Sequence, residues 1–547
     1  MSFKLQYLGQ EKTFESRVKI LDLLPNEDKK KYVCARVNNR SRELTYEVGY
    51  DAKIEFLDCT DIDAVKIYEA SLRFVASMAF HNLFPDLRVR FCYNVSRAIF
   101  IQLLNKKRSD LKMVQMLKAE MERIIEADYP LERRKMGKEE AIKLYQENGL
   151  EDKIEMLQYR PEDFVHLYDC HGYKNYMFYR MVPSTGYLKN FTLIYYPPGI
   201  IMQYPRAELK GEIPEFEDAP TFGKTLKAAH EWALAAGANT VGGINEHIRK
   251  AGPVDFIQLC EARHNKMLSE LGDLIEKDID DIRLICIAGP SSSGKTTFAN
   301  RLRIELMSRG IKPIRISIDD YYLPKDKVPV DEFGKPDLEH IEALDIDLFN
   351  RNMLDLISGE EVELPKFDFK LVKRVPGRKL KVGDNEPIII EGIHALNDRL
   401  TNLIPKHQKF KIFIAPEIQI NLDNATPLSL TDLRLIRRIV RDFKFRNASA
   451  LETLSMWDSV RRGEFTWIYN TQEGADYVYN SMLSYELAVM KKYALPLLQA
   501  IDVESEYFPI AERLIRMLKY FIDLDDTWVP CNSLMREFIG GSCYADV

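Results

Sequence analysis

The stretch of sequence that decides the fold runs from residue 283 to residue 297 and reads RLICIAGPSSSGKTT. Its first part, RLICIA, is a short apolar run, which is typical of a buried parallel strand. The rest, from Gly289 to Thr297, matches the motif G-x-x-x-x-G-K-[ST] in full. In this motif backbone N–H groups close around phosphate oxygens at the start of a helix, whose dipole favours the anion. The sequence therefore predicts a site for a nucleoside triphosphate.

The residues of this phosphate loop have separate expected tasks. Lys295 is expected to reach the β- and γ-phosphates, and the hydroxyl of Thr296 is expected to bind Mg²⁺. The alternative is a chance glycine turn, which the strand before the loop and the helix after it disfavour. We therefore predict ATP and Mg²⁺ as cofactors, with the nucleotide bound by Gly289, Pro290, Ser291, Ser292, Ser293, Gly294, Lys295, Thr296 and Thr297.

Beyond the loop, apolar runs alternate with helical stretches. The runs at residues 313–318, 387–391 and 409–415 are short, rich in Ile and Phe, and suited to core strands. Strands that alternate with helices indicate an α/β domain with a mainly parallel sheet. We place this domain at residues 281–500.

Two of these predicted strands end in acidic residues. Asp319 and Asp320 follow the strand at 313–318, and Glu391 ends the strand at 387–391. Ligands of open α/β sheets bind beyond the carboxyl ends of the strands. An acid placed there can accept a proton from a hydroxyl group or hold Mg²⁺. The alternative for each acid is a solvated loop or a helix cap.

A basic segment follows at residues 434–442 and reads RLIRRIVRD. Its spacing puts Arg434, Arg438 and Arg441 near one face of a helix. Arginines aimed at transferring phosphate oxygens offset the charge that develops there. The alternative is a solvated basic face.

Together these residues resemble the uridine kinase and phosphoribulokinase family of P-loop kinases over about residues 281–500. The shared motifs stand in family order: the phosphate loop, Asp319-Asp-Tyr-Tyr, Lys335-Pro-Asp-Leu-Glu339-His340, Pro365-Lys-Phe-Asp-Phe369, Ile390-Glu391-Gly392-Ile393 and the arginine segment. The resemblance implies an ATP-dependent kinase that phosphorylates a hydroxyl group of a nucleoside, uridine-like or cytidine-like.

The resemblance also implies roles for single residues. Asp319 would be the general base, and Lys295, Arg438 and Arg441 would be the other catalytic residues. The metal would be held by Thr296 and Glu391. The residues implied at the acceptor are Tyr322, Glu339, His340, Phe367 and Arg446.

Several positions depart from the family pattern. Residues 338–342 read Leu-Glu-His-Ile-Glu where uridine kinases carry Phe-Asp-His-Pro-Asp. Val372 stands near the place of the histidine that reads the pyrimidine edge in animal uridine kinases. Phosphoryl transfer therefore carries over, whereas pyrimidine specificity does not. Four other residues could form a surface on which a base stacks: Trp457, Arg461, Arg462 and Trp467. The alternative is that they are core and surface residues.

The N-terminal half resembles two other domains. Its first part predicts strands at 32–37, 44–48 and 51–57, with a turn at Asn38-Asn39. Residues 1–62 resemble a TGS domain, and residues 63–210 resemble the editing-type domain of threonyl-tRNA synthetases. The second resemblance rests on Leu83-Phe-Pro85-Asp86, Asp169-Cys170-His171-Gly172 and Val182-Pro-Ser-Thr-Gly186. Amphipathic helices are predicted at 64–83, 111–126 and 138–147.

The editing-type domain has lost most of its reactive groups. Its two helix histidines fall at Ala70 and Phe74, its later histidine falls at Met181, and only Cys170 remains. Apolar side chains cannot act as bases or metal ligands. We therefore predict no hydrolytic editing, with Cys170 a buried thiol and His171 a surface imidazole.

Two kinds of feature leave RNA binding by the N-terminal half possible: basic clusters and tyrosines. Basic clusters are usually only solvated faces, and tyrosines in a sheet are more often core residues than base-stacking platforms. The clusters are 106–108 and 133–135, and the tyrosines are Tyr168, Tyr173, Tyr176 and Tyr179.

The composition excludes several classes of protein. The chain has 547 residues, of which 46% are hydrophobic and 29% charged, so it is neither disordered nor collagen-like. Its net charge of −6 does not predict a dedicated DNA-binding protein. The eight cysteines form no CxxC pair, and no long apolar run suggests a membrane span. We expect a cytoplasmic homo-oligomer.

The chain is longer than a kinase alone needs. We divide it into 1–62, 63–210, a helical connector at 211–280, the kinase domain at 281–500 and a C-terminal helical tail at 501–547. Two other functions remain alternatives. One is a kinase for another sugar or sugar-phosphate acceptor, and the other is an RNA-binding regulator whose P-loop domain is a nucleotide switch.

Overall fold

The structure, a computed structural model, describes residues 2–545 apart from 107, 325, 333, 369–372, 384 and 385. Three residues named above, Lys107, Phe369 and Val372, therefore lie outside the described residues. Within the described part of the chain, no helix is both long enough and apolar enough to cross a membrane.

The N-terminal segment folds as a mixed β-sheet, so its predicted β-rich character is confirmed. Its strands are β1 (Phe3–Tyr7), β2 (Gln10–Phe14), β3 (Val18–Lys19), β4 (Cys34–Val37), β5 (Arg40–Arg42), β6 (Glu47–Val48) and β7 (Ala52–Leu57). The main sheet has the order β2-β1-β7-β4-β5. Strands β1 and β7 run parallel, and the other neighbours run antiparallel.

The turn at Asn38-Asn39 is confirmed, but the strand after it is not where the sequence predicted it. Asn38 and Asn39 have φ angles of 44° and 56°, the left-handed conformation of a two-residue hairpin turn. Because the pairing closes directly on this turn, β5 begins at Arg40. Of the strand predicted at 44–48, only β6 is a strand, and it pairs with β3.

Residues 62–203 combine helices with two antiparallel sheets, of orders β10-β11-β12 and β13-β14-β9-β8. The elements are α1 (Ile62–Leu83), β8 (Val89–Val95), β9 (Ala98–Leu103), α2 (Leu111–Glu126), β10 (Glu132–Gly137), α3 (Lys138–Glu147), α4 (Glu151–Gln158), β11 (Phe164–Cys170), β12 (Tyr173–Tyr176), β13 (Thr192–Tyr196) and β14 (Gly199–Gln203). The three predicted helices are confirmed. Helix α1 starts two residues early because the Asp61 side chain caps it.

Three helices lead into the second half of the chain, α5 (Pro220–Ala235), α6 (Val241–Glu246) and α7 (Pro253–Lys277). The second half contains β15 (Leu284–Ala288), α8 (Lys295–Ser308), β16 (Ile314–Ser317), α9 (Ile346–Ile357), β17 (Val362–Asp368), β18 (Lys373–Leu380), β19 (Ile388–Glu391), α10 (Asp398–Thr401), β20 (Lys409–Ala415), β21 (Asn421–Asp423), β22 (Thr426–Pro427), α11 (Leu430–Phe445), α12 (Ala450–Gly463), β23 (Tyr477–Asn480), α13 (Glu486–Gln499), α14 (Phe508–Leu518) and α15 (Arg536–Ile539).

The predicted parallel sheet is confirmed, with the order β16-β19-β15-β20-β23 and every neighbouring pair parallel. The sequence did not predict β23, whose four residues YVYN are too few for a distinct pattern. Along β15, Leu284 and Cys286 face one core cluster, and Ile285 and Ile287 face another. Both faces are thus buried, which explains the continuous apolar run. The carboxyl ends of β15, β16 and β19 lie side by side.

A hairpin formed by β21 and β22 in the second half of the chain contacts the first half. At its tip the Asn424 side chain accepts a hydrogen bond from Arg90 Nε at 2.7 Å. The backbone carbonyl of Asn424 accepts one from the Phe91 N–H at 2.8 Å. Lys153 Nζ lies 3.0 Å from the Asp423 carboxylate, and both side chains are buried. The two halves therefore share buried polar contacts.

Candidate active site

The phosphate loop joins β15 to α8. Gly289 is required at its start, because a Cβ there would lie 2.0 Å from the carbonyl oxygen of Ile414. Ser292 and Gly294 have φ angles of 60° and 90°, so the chain turns through left-handed conformations. Among the described residues, the buried hydroxyl oxygens of Ser292 and Ser293 have no hydrogen-bond partner. Such oxygens suit a loop that binds phosphate.

Lys295 is the first residue of α8 and reaches back across the loop. Its Nζ donates to the carbonyl oxygens of Gly289 at 2.9 Å and Pro290 at 3.2 Å. Burial lowers the pKa of Lys295, and the carboxylates of Glu391 and Asp319 oppose this shift. The ammonium group therefore lies among opposite charges at the mouth of the loop, where it can neutralise phosphate oxygens.

Asp319 and Glu391 lie at the carboxyl edge of the sheet, one after β16 and one at the end of β19. These strands are parallel neighbours, and their register pairs Ser317 with Glu391. Burial raises the pKa of Asp319, while Lys295 opposes the shift. Burial and, second, the Asp319 carboxylate raise the pKa of Glu391 to about 7. The two acids are thus close enough to influence each other's protonation.

The residues at this edge fit a magnesium ion. Thr296 lies in the first turn of α8, next in the chain to Lys295, and the carboxylates of Asp319 and Glu391 act on Lys295. Protein sites hold Mg²⁺ through one or two carboxylates together with substrate phosphates, so no complete protein cage is needed. Within the described ranges, no three His, Cys, Asp or Glu side chains form a metal-binding group of their own.

Arg434 and Arg438 both contact Ser291 of the phosphate loop, so they share a face of α11 as the sequence predicted. Arg434 is fully buried, forms an ion pair with Glu464, and donates to the Ser291 carbonyl oxygen at 3.1 Å. A buried guanidinium group needs partners for its donors. Arg434 therefore supports the phosphate loop through the Ser291 backbone, while Glu464 balances its charge.

Arg437 supports the same loop, although its sequence context does not distinguish it from the neighbouring arginines. It is fully buried, pairs with Glu486 at 2.5 Å, and donates to the Ser292 carbonyl oxygen at 3.3 Å. The partners Arg437 and Glu486 are 49 residues apart, so no local pattern signals the pair.

Arg438 of α11 contacts the phosphate loop, and the charge of Arg441 acts on Lys295. Arg438 Nη1 donates to the Ser291 hydroxyl oxygen at 2.8 Å. The Asp442 carboxylate lies 3.2 Å from Arg438 Nε and 2.7 Å from Arg441 Nη2. One buried acid thus fixes both guanidinium groups beside the loop.

Two of the residues expected at the acceptor are aromatic neighbours. The rings of Tyr322 and Phe367 have centroids 5.9 Å apart, and the Tyr322 hydroxyl donates to the Leu338 carbonyl oxygen at 3.1 Å. Burial raises the pKa of Tyr322, and the carboxylates of Asp319 and Glu339 add to the shift. The aromatic pair therefore borders the same acidic group that faces Lys295.

Glu339, His340 and Arg446 complete the expected acceptor group. Burial and, second, the Glu464 carboxylate raise the pKa of Glu339 to about 7. The His340 ring contacts Trp467 edge-on, with centroids 4.7 Å apart. The Arg446 side chain is largely exposed, and the nearby Arg441 guanidinium lowers its pKa.

Comparison with known proteins decides the family. Residues 284–487 match the sequence profile of the Phosphoribulokinase / Uridine kinase family. A uridine kinase from Ureaplasma parvum is 31% identical over 176 residues, which cover 32% of this chain and 76% of that protein. This chain belongs to the phosphoribulokinase / uridine kinase family. As a member, it is an ATP-dependent kinase that acts on a hydroxyl group.

Other relatives show how far the likeness extends. A uridine kinase from Bacillus pumilus is 33% identical over 180 residues, 33% of this chain and 76% of that protein. The Arabidopsis thaliana protein named inorganic pyrophosphatase TTM2 is 36% identical over 131 residues, 24% of this chain and 18% of that one. The matches therefore concern the kinase part and leave most of the chain unmatched.

In this kinase only one of the two tryptophans considered as a base platform faces the acceptor group. Trp457 is 4% exposed and packs under the Arg434 guanidinium at 5.5 Å, so it is a core residue. Trp467 contacts His340 at the acceptor side. Arg461 is held by an ion pair of 2.5 Å with Glu464.

The three positions at which the editing-type resemblance would place histidines are apolar core positions. Ala70, Phe74 and Met181 are all at most 1% exposed. Cys170 is a buried free thiol whose pKa burial raises to about 12, and His171 is exposed, as the sequence predicted.

Some of the residues considered for RNA binding are buried or paired with acids. Tyr168 and Tyr176 are buried in the sheet, so they cannot stack on bases. Arg134 is paired with Glu132 at 2.7 Å, whereas its neighbours Arg133 and Lys135 are exposed on β10.

Proposed function

We propose that this kinase transfers the γ-phosphate of ATP to a hydroxyl group of a nucleoside, uridine-like or cytidine-like. The observation that carries the proposal is the position of Asp319 at the carboxyl end of β16, in electrostatic contact with Lys295. A proton acceptor, a phosphate-loop cation and a second acid, Glu391, meet at one edge of the sheet. The likeness to proteins named uridine kinase supports the substrate class.

In this proposal Asp319 accepts the proton of the acceptor hydroxyl group while the oxygen of that hydroxyl group attacks the γ-phosphorus. The bond from that phosphorus to the bridging oxygen breaks, and ADP leaves with the bonding electrons. Residues 289–297 bind the nucleotide phosphates. Lys295, Arg438 and Arg441 offset the charge on the transferring group.

Thr296 and Glu391 hold the magnesium ion in this proposal. When bound, Mg²⁺ neutralises charge on the phosphate oxygens. The hydroxyl of Thr296 and the carboxylate of Glu391 are hard oxygen ligands, which this ion prefers. Because burial holds the pKa of Glu391 at about 7, its charged form is available at and above neutral pH.

Tyr322, Glu339, His340, Phe367 and Arg446 form the proposed acceptor site. The Tyr322–Phe367 pair offers an aromatic surface for a base, and Glu339 offers oxygens to ribose hydroxyls. Its pKa of about 7 lets the Glu339 carboxyl donate or accept a hydrogen bond near neutral pH.

An acceptor panel tests this function with the purified full-length chain. ADP formation is measured with uridine, cytidine, adenosine, guanosine, ribose and ribulose 5-phosphate, each with Mg-ATP. The proposal expects a higher kcat/KM for uridine or cytidine than for ribose or ribulose 5-phosphate. Turnover of a sugar or sugar phosphate alone would contradict the nucleoside assignment while leaving the kinase reaction intact.

A phosphorylated sugar is the second candidate acceptor, and one observation favours it. Arg441 and Arg446 lie close enough for their charges to lower the pKa of Arg446. Two guanidinium groups this close together suit an anionic substrate. In the panel, this candidate expects ribulose 5-phosphate to be preferred over ribose.

For the rest of the chain we propose the division made from the sequence: a TGS-like domain at 1–62, an editing-like domain at 63–210, a connector at 211–280, the kinase domain at 281–500 and a tail at 501–547. The apolar positions Ala70, Phe74 and Met181 support an editing-like domain without hydrolysis. Limited proteolysis tests the division, since cleavage is expected first at the boundaries.

A further inference from the structure

The end of the chain borders the nucleotide site. Helix α15 packs on α11, and Leu534, Met535 and Phe538 are fully buried in the core cluster shared with the parallel sheet. The Arg437 guanidinium, which supports the phosphate loop, lies 4.9 Å from the centre of the Phe538 ring. The segment 533–541 is therefore built into the kinase part of the molecule.

Further contacts fix this segment on both sides of α15. The Ser533 hydroxyl donates to the Glu261 carboxylate at 2.5 Å. The Arg536 guanidinium donates to the Val529 carbonyl oxygen at 2.6 Å and to the Gly540 carbonyl oxygen at 3.2 Å. The position of α15 beside the loop is thus defined by anchored neighbours.

Glu537 of α15 contacts the phosphate loop directly. One of its carboxylate oxygens accepts a hydrogen bond from the Thr297 backbone N–H at 3.1 Å. Its charge also acts on Lys295, whose pKa it helps to raise against the effect of burial. One helical turn earlier, Leu534 Cδ2 lies 3.1 Å from where a Cβ on Gly294 would be.

This carboxylate stands where a phosphate oxygen is needed. The first turn of α8 presents N–H groups without partners inside the helix, and such groups bind phosphate in this motif. A carboxylate is an anionic acceptor of the same kind, so it satisfies the Thr297 N–H in place of phosphate. Both anions cannot accept from that N–H at once, and their like charges repel.

We propose that Glu537 sets the affinity of the nucleotide site as a built-in competitor, whose carboxylate must leave the Thr297 N–H before the phosphates of ATP bind there. Because Phe538 and Ile539 of α15 are buried and Glu537 is half-buried, rotation of the Glu537 side chain is the movement that disturbs the fold least. The inference rests on the nucleotide site of the proposed function and not on the identity of the acceptor.

Glu537→Gln tests the competition by isothermal titration of the full-length protein with Mg-ATP and, separately, with adenosine. An anion at a helix N-terminus is worth about 0.3–2 kcal/mol, so the ATP dissociation constant should fall by roughly 2- to 30-fold. The adenosine affinity should stay within about twofold, because adenosine carries no phosphate to compete. Glu504→Gln removes the same charge from an exposed site and is the matched control.

Unchanged or weaker ATP binding by Glu537→Gln would overturn the inference, and so would an equal gain for adenosine. Thermal unfolding of the variant shows whether α15 stays folded. If it does not, Glu537→Asp, which shortens the side chain and keeps the charge, should still bind ATP more tightly than the unmodified chain, and failure to do so overturns the inference. If none of these proteins binds ATP, the nucleotide site itself is wrongly assigned, and the competition falls with it.

Discussion

Asp432 of α11 accepts two hydrogen bonds from Arg513 of α14, each 3.1 Å long. Arg513 also donates to Asp63 at 2.9 Å, and Lys66 lies 3.1 Å from Asp432, so this cluster ties α1 to the helix that supports the phosphate loop. Although burial alone would raise it, Arg513 and Lys66 lower the pKa of Asp432 to about 2. Burial and the Arg513 charge lower the pKa of Lys66. Arg513 therefore has the larger effect on the pKa of Asp432, and Lys66 has the smaller one.

The Asp432 cluster predicts a pH-dependent stability. The folded pKa lies below the unfolded value, so the stabilisation is present above about pH 4 and is lost as the pH falls towards 2. The shift corresponds to about 2 kcal/mol. Asp432→Asn should lower the free energy of unfolding by about 3 kcal/mol, because it leaves buried cations without their partner.

Urea unfolding at pH 7, pH 4 and pH 3 measures the effect, with the exposed Asp280→Asn as the control. The unmodified chain should lose stability between pH 4 and pH 3, and Asp432→Asn should lose less. Equal stability of both variants at pH 7 would show that the cluster contributes nothing.

Lys295→Ala should reduce turnover by at least about a hundredfold and weaken ATP binding, because the phosphate loop loses its only charged side chain. Turnover is followed by ADP release with the best acceptor of the panel. Lys312→Ala, at an exposed position after α8, is the control. Turnover that survives the loss of Lys295 would contradict its role at the phosphates.

Asp319→Asn should keep ATP binding and lower kcat by roughly 10²- to 10⁴-fold, the usual contribution of a general base. Asp320→Asn is a matched control one residue away. Asp320 accepts a hydrogen bond from the Phe367 N–H at 3.1 Å, which an amide oxygen can also accept. Near-normal turnover by Asp319→Asn would show that another group takes the proton.

Glu391 predicts how magnesium binding depends on pH. Its pKa of about 7 means that the carboxylate becomes protonated below neutral pH and then cannot bind a cation. The magnesium concentration for half-maximal turnover should rise as the pH falls from 8 to 6, by up to about tenfold per unit. Glu391→Gln should abolish this dependence, and the exposed Glu361→Gln should retain it.

The unmodified chain should hydrolyse no aminoacyl ester, because Ala70, Phe74 and Met181 supply neither a base nor a metal ligand. Release of amino acid from an aminoacylated RNA is the measurement. Hydrolysis that Cys170→Ala abolishes would show that the editing-like domain kept an activity. Phe74→His should destabilise the fold by about 3 kcal/mol, because it places a polar ring in an apolar core.

The sequence predicted the parts of the site that lie close together in the chain. The phosphate loop and the acids after β16 and β19 follow from strand ends, because parallel strands bring their carboxyl ends to one edge. The family resemblance added the acceptor residues, of which Tyr322 and Phe367 are neighbours in the structure. These predictions depend on local patterns.

The parts that the sequence did not predict depend on distant contacts. Arg437 looked like its helical neighbours, and only its partner Glu486 in another helix makes it a support of the loop. Glu537 lies 240 residues from Thr297, with no motif around it. Trp457 was as plausible on the surface as in the core, since burial is a property of the packed helix and not of its sequence alone.

The β21–β22 hairpin makes the two halves of the chain depend on each other's residues. Its Asp423 neutralises Lys153, and its Asn424 binds Arg90, all inside the contact between the halves. Replacing the N-terminal half with an unrelated one would leave the buried Asp423 carboxylate without its partner cation. Substitutions in the hairpin and in the N-terminal half are therefore expected to be coupled, since a change at Asp423 affects Lys153 and a change at Asn424 affects Arg90.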